Sequence, residues 1–199
     1  SQLRRFFDRE VIPYAAQWDE DGHIPDELWP KAAAVGILGL GYPEEFGGVS
    51  EGIDIWYGII LNEEMARIAV GGVAATLMVH GIGLPPVINF GSDEVKLMVA
   101  PPVLAGTKRI SLAITEPGAG SDVAHLITTA RLEGDYYVVN GSKTYITGGM
   151  NANWFTTAVR TGGEGAGGVS TLLIPADLEG VSRTALDKKQ GWWCSDTAT

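Results

Sequence analysis

Cysteine is almost absent from this chain. Cys194 is the only one in 199 residues, so no intrachain disulfide can form, which suits a reducing compartment. Basic residues are also scarce, 14 Lys and Arg against 24 Asp and Glu. A formal charge of −10 repels phosphate backbones and anionic membrane surfaces, so no nucleic acid and no membrane is expected as a partner. Long apolar runs are missing too. The longest candidate, Val70 to Phe90, is interrupted by glycines and by Pro85-Pro86, short of the roughly 18 unbroken apolar residues of a membrane span. The opening SQLRRFFDREVIPYAAQWDEDG holds no uninterrupted apolar stretch, so no secretory leader is expected in it. His23, His80 and His125 lie far apart and lack metal-ligand spacing, so no metal is expected. Apolar residues nevertheless make up 45% of the chain and charged ones only 19%, enough for a sizeable core.

Two textures divide the chain. Through about residue 109 the apolar period is helical: Leu3, Phe6, Phe7, Val11, Tyr14, Ala15 and Trp18 recur on one face, and Pro13 is placed to kink that helix. Pro25-Asp26-Glu27 opens a second helix. Ile53, Trp56, Tyr57, Ile60, Leu61, Met65 and Ile68 mark a third, and a small-residue fourth over 71–84 is closed by Pro85-Pro86. Ser92 before Asp93-Glu94 reads as an N-cap for a fifth, which is expected to stop before Pro101-Pro102.

From about residue 110 the period becomes two. Strands are expected at 109–115, 127–132, 136–139, 154–160, 169–174 and 181–186, with Asn140-Gly141 as a tight turn between YYVV and SKTYIT. The expected fold class is α+β: an all-α domain over 1–109, then an antiparallel β-barrel domain over 110–199. The sheet lacks a closing element after GWWCSDTAT, and position 1 is not Met, so a piece of a longer chain is expected.

The segment richest in chemistry is LAITEPGAGSDV, 112–123. A strand runs into Pro117-Gly118-Ala119-Gly120, flanked by Thr115, Ser121 and Asp122. Glycines let backbone N–H groups approach an anion, and the hydroxyls suit a heteroaromatic edge or a phosphate. An ordinary Pro-Gly turn accounts for the same residues. In NGSKTYITGG, 140–149, strand alternation puts Thr144, Ile146 and Gly148 on one face and Lys143, Tyr145 and Thr147 on the other. An aromatic and a hydroxyl two apart can flank a flat ring; they can equally fill a sheet. GEGAGG, 163–168, satisfies G-x-G-x-x-G but precedes the strand-like VSTLLI, so it reads as a hairpin loop.

TEPGAGSD at 115–122 with NGxKxYIT at 140–147 resembles the acyl-CoA dehydrogenase family. WDEDGHIPDELWPKAAAVGILGLGYPEEFGG (18–48), Asn62-Glu63-Glu64, FGSDEVK (90–96) and GWWCSDT (191–197) extend the resemblance over essentially the whole chain. It implies a helical N-terminal domain, a middle β-barrel and a C-terminal four-helix domain that this sequence lacks. It implies FAD as cofactor, with Leu112, Ile114 and Thr115 edging the isoalloxazine, Gly120 and Ser121 at the pyrophosphate, and Tyr145, Ile146 and Thr147 against the ring. Tyr145 stands where the family often has Trp, and Gly148 where Asn is common. Ser121, Ala74, Ala75 and Met78 are implied at the acyl-CoA substrate, although simple helix packing also explains the last three.

The implied reaction is α,β-dehydrogenation of a saturated acyl-CoA in fatty-acid or branched-chain breakdown. A carboxylate takes the α-proton while hydride passes to flavin N5. That base belongs to the missing domain, so no catalytic residue is expected here, and Glu116 beside Pro117 is read as organising a turn. The resemblance further implies an electron-transfer flavoprotein as acceptor and a homotetramer, and, with no transit segment visible in the sequence, a bacterial cytoplasmic location is expected ahead of the mitochondrial matrix. An acyl-CoA oxidase or nitroalkane oxidase on the same scaffold, or a non-catalytic flavin- or acyl-CoA-binding module, are the alternatives.

Overall fold

A computed structural model describes residues 2–199, which fold as a helical half and a sheet half joined along one seam. The first expected helix is broken where Pro13 predicts, into α1 (Gln2–Glu10) and α2 (Ala15–Asp21). Next come α3 (Leu28–Ala34), α4 (Ile55–Ala66), α5 (Gly71–Leu77) and α6 (His80–Gly83). α7 (Pro85–Phe90) and α8 (Asp93–Leu104) complete the helical half. Phe7, Val11, Leu38, Val73 and Leu77 are all at or below 1% exposure and form the centre of its core. Among the described residues no single helix is long and apolar enough to cross a membrane.

The prolines depart from expectation. The expected fourth helix is split into α5 and α6 and does end at Gly83, just before Pro85-Pro86, but these prolines also open α7, because a first helical turn needs no N–H from those positions. α8 is capped by Ser92, whose hydroxyl accepts from Val95 N (3.3 Å), but it runs through Pro101-Pro102 to Leu104. The carbonyls that lose partners belong to Leu97 and Met98, which are exposed, so water can serve them.

The strands are β1 (Ile110–Ala113), β2 (Thr129–Glu133), β3 (Tyr136–Asn140), β4 (Ile146–Thr147), β5 (Trp154–Arg160), β6 (Val169–Pro175) and β7 (Thr197–Ala198). The expected antiparallel barrel is not what forms. Among the described residues the sheet is open and mixed: β5 pairs in parallel with β1 (Ile110 opposite Trp154) and with the start of β2, and antiparallel with β6. Parallel pairing needs only a connection long enough to return, and residues 114–153, carrying the β2–β3 hairpin, supply it without a crossover helix.

Two further strand expectations fail. Asn140-Gly141 makes no hairpin; a Cβ on Gly141 would lie 2.4–2.7 Å from Thr128, so the glycine serves a close passage of chain. Residues 181–186 form no strand, only an isolated bridge from Ala185 to Ala198.

The last residues fold back over the seam. β7 pairs with β4, Gly148 N donates to Asp196 O (2.8 Å), and Met150 N donates to the Asp196 carboxylate (2.8 Å). On the helical side Cys194 is buried in the core beside α5, and its N–H donates to Asp19 Oδ1 (3.1 Å). Burial pushes the Cys194 thiol up to about 12, which makes it an inert packing group.

Candidate functional site

The turn after β1 is built by its own backbone. Glu116 N donates to Ala119 O (2.9 Å) and Ala119 N returns the bond to Glu116 O (3.1 Å), projecting Pro117 and Gly118 outward. The Glu116 side chain turns inward and is 2% exposed. Its carboxylate accepts from Ile127 N (2.7 Å), Thr128 N (2.9 Å) and Lys143 Nζ (2.7 Å). Burial alone would raise its pKa, but these donors outweigh burial and hold it down at about 2. Such a carboxylate is committed to its donors and is a poor base, in keeping with a turn-organising role. Lys143 also donates to Ile114 O (3.0 Å); burial lowers its pKa, and Glu116 opposes that shift.

The sequence-predicted cofactor residues fall into three groups. Leu112, Ile114 and Thr115 are half-buried along β1 and its extension. Tyr145, Ile146 and Thr147 lie alongside, because Thr144 N donates to Thr115 O (2.8 Å). The predicted alternation holds in burial: Thr144, Ile146 and Gly148 are buried, Lys143 and Thr147 half-buried, and Tyr145 is 64% exposed. Gly120 and Ser121 lie exposed past the Pro117-Gly118 turn, and no hydrogen bond joins them to Tyr145 among the described residues. The hydroxyls of Thr115, Ser121 and Thr147 engage no protein group among the described residues.

Among the described residues, Tyr145 is one of three non-glycines with positive φ, at 58°. That left-handed backbone aims an aromatic ring at solvent from a buried seam, an arrangement that carries strain and marks functional surfaces. Ala74, Ala75 and Met78 are half-buried on or just after α5. Their end of the helix reaches the site through Val79: a Cβ on Gly148 would stand 3.1 Å from Ser111 Oγ and 3.4 Å from Val79 Cγ1. Ser111 Oγ is itself buried without a hydrogen-bond partner among the described residues.

Sequence reasoning missed the part played by Lys143, which pairs with a carboxylate 27 residues away and shows no local signal. It also missed the C-terminal strap behind β4. The paired small residues Gly71-Gly72 were the available clue, since a Cβ on Gly72 would lie 2.8 Å from Cys194 Sγ. The GEGAGG loop joins β5 to β6 as expected, with Thr161 N and Gly162 N donating to Gly168 O.

Comparison with known proteins fits this geometry. Residues 1–107 match the family model for the acyl-CoA dehydrogenase N-terminal domain, and residues 111–198 that for the middle domain. The mitochondrial long-chain specific acyl-CoA dehydrogenase of Sus scrofa is 35% identical, covering 98% of this chain and 46% of the relative. A crystal structure from Mycobacterium smegmatis, described as a candidate acyl-CoA dehydrogenase, is 47% identical with a TM-score of 0.91, over 98% of this chain and 51% of that one. An acyl-CoA dehydrogenase from Bacillus anthracis complexed with FAD is 33% identical with a TM-score of 0.85, over 98% of this chain and 33% of that one. The chain thus spans about half the length, or less, of the relatives it matches. With both of its halves matched by consecutive domains of one family, the chain belongs to the acyl-CoA dehydrogenase family.

Proposed function

We propose that the protein to which this chain belongs is an FAD-dependent acyl-CoA dehydrogenase, and that the seam between residues 112–121 and 145–147 is its flavin-binding surface. The observation that carries this is the outward Tyr145 ring beside unengaged Thr115 and Thr147 hydroxyls, on strands locked by the Thr144–Thr115 hydrogen bond. These residues fit a flavin. A Cβ at Gly118 or Gly120 would meet nothing within 4 Å, so the turn leaves room for a bulky anionic group. The two carboxylates that flank the turn are both engaged, Glu116 by Lys143 (2.7 Å) and Asp122 by His125 Nδ1 (2.6 Å). Among relatives, the Bacillus anthracis enzyme is complexed with FAD.

In this reading Leu112, Ile114 and Thr115 edge the ring, Tyr145, Ile146 and Thr147 pack and hydrogen-bond it, and Gly120 and Ser121 meet the pyrophosphate. When bound, FAD accepts the hydride from the acyl β-carbon. The resemblance implies that the α-proton goes to a carboxylate of the family's C-terminal domain, and Glu116, held by three donors, does not take that role. Ser121 also faces the CoA arm, and Ala74, Ala75 and Met78 line the acyl chain from α5. The electron-transfer flavoprotein acceptor, the homotetramer and a role in acyl-chain breakdown belong to the same proposal.

The test is an anaerobic visible spectrum of the natural-length protein with a panel of saturated acyl-CoAs. A flavin band bleached by one of them establishes the half-reaction and names the chain. A flavin that none bleaches removes the substrate assignment, and a colourless protein that takes up no added FAD removes the cofactor.

A further inference from the structure

The Glu116–Lys143 pair has more connections than a turn requires. Its side chains are 2% and 10% exposed, and with its hydrogen bonds it ties together three segments: 114–116, 127–128 and 143. Two of these segments carry the candidate flavin residues. Thr115 directly precedes Glu116. Tyr145 follows Lys143 by two positions, with Thr144 between them bonded to Thr115 O and to the Thr199 hydroxyl (2.9 Å). On its other side Tyr145 is followed by β4, held by β7. The strained Tyr145 backbone is therefore pinned from both directions, as a left-handed tyrosine must be to persist.

A buried ion pair is a poor source of net stability, because desolvating two charges offsets their attraction, and apolar replacements of similar volume often fold as well. What a pair of this kind supplies is geometry. Resting on the flavin assignment above, we propose that Glu116 and Lys143 are positioning residues of the flavin site. Their ion pair fixes the register of the Thr115 hydroxyl against the Tyr145 ring. Neither side chain is exposed enough to serve as a principal ligand contact, so they act through Thr115 and Tyr145.

The experiment uses the natural-length protein, stripped of flavin and reconstituted with FAD. Flavin fluorescence gives the Kd, visible circular dichroism reports the ring's asymmetric surroundings, and thermal melts of the apoprotein report folding. Glu116→Gln and Lys143→Met are expected to raise the FAD Kd at least tenfold and to alter the visible dichroism. The comparator is Glu64→Gln, which removes a buried carboxylate bound by Arg4 and Arg67 in the helical half. It is expected to lower the melting temperature while keeping the Kd within twofold. The double variant Glu116→Leu/Lys143→Met is expected to recover the melting temperature but not the Kd, which a merely structural pair would not do. Should the single variants fail to fold, Lys143→Arg decides: a wild-type melt with a raised Kd supports positioning. Wild-type Kd and dichroism in the folded variants would overturn the proposal, as would a flavin loss that merely follows melting temperature in Glu64→Gln as well. A wild-type protein that takes up no FAD sinks the flavin assignment itself and shows before any variant is made.

Discussion

At the scale of single residues, the site trades stability for presentation. Tyr145 holds a left-handed backbone that costs an L-residue roughly 1–2 kcal/mol, while most of its ring contacts only solvent. Glycine adopts that conformation freely. Tyr145→Gly should therefore stabilise the apoprotein by about 1 kcal/mol in urea titrations, while FAD, if it stacks on that ring, binds more weakly. A destabilised Tyr145→Gly apoprotein would show that the ring serves the fold instead. Glu116 makes the opposite trade. Its folded pKa, about 2, lies below the ordinary 4.5, so its ionised form stabilises the fold fully above about pH 4.5. That contribution, roughly 3 kcal/mol, is lost as pH falls from about 4.5 towards 2. Unfolding midpoints measured over that window should fall less steeply for Glu116→Gln than for the wild type. Parallel slopes would mean the carboxylate is not the group being titrated.

At the scale of elements, caps and hydrophobic periods were legible and long-range pairing was not. Ser92 with Asp93-Glu94 announces α8, and its hydroxyl does cap Val95 N. Ser92→Ala should cost about 1 kcal/mol, read as a shift in denaturation midpoint, with Ser92→Asp keeping most of it. The break at Pro13 and the strands at 127–132, 136–139, 154–160 and 169–174 were visible because each depends on neighbours within a few residues. Where α8 ends depends on which side of the helix meets water, which no local pattern around Pro101-Pro102 encodes. The parallel register of β1 on β5 follows from where residues 114–153 return, and nothing local to either strand records it. Gly141 misled for a similar reason: a glycine needed for close passage of Thr128 looks in sequence like one needed for a turn. The candidate site was legible further than the sheet around it. Thr115, Tyr145 and their neighbours sit in two compact motifs, whereas Lys143 found its partner only through the fold.

At the scale of the whole molecule, the two halves are joined through residues 192–198. Cys194 sits in the helical core, its N–H bonded to Asp19, while two residues on Asp196 receives Gly148 N and Met150 N, and β7 backs β4. Arg109 adds a second tie, its guanidinium 3.7 Å from the Trp29 ring centroid and 2.6 Å from Asp26. A disturbance in the helical half should therefore travel to the candidate site. Gly72→Val is the cleanest way to apply one. Its Cβ would lie 2.8 Å from Cys194 Sγ and 3.1 Å from Trp192 Cα, and the second of these is backbone that cannot turn aside. The strap must lift, and β7 with it, although Gly72 is on α5 and touches no residue of β4. Hydrogen exchange of the natural-length protein should then show lost protection at the Ile146–Gly148 amides, whereas Asp196→Ala, which keeps the carbonyl that Gly148 N donates to and removes only the carboxylate, should expose the Met150 amide. Protection lost only around α2 and α5 would show that the strap bends without transmitting, and that the halves are coupled instead by Arg109, by the Thr156 hydroxyl on Gly83 O (2.6 Å) and by the packing of Ile110 against Leu84 and Val103.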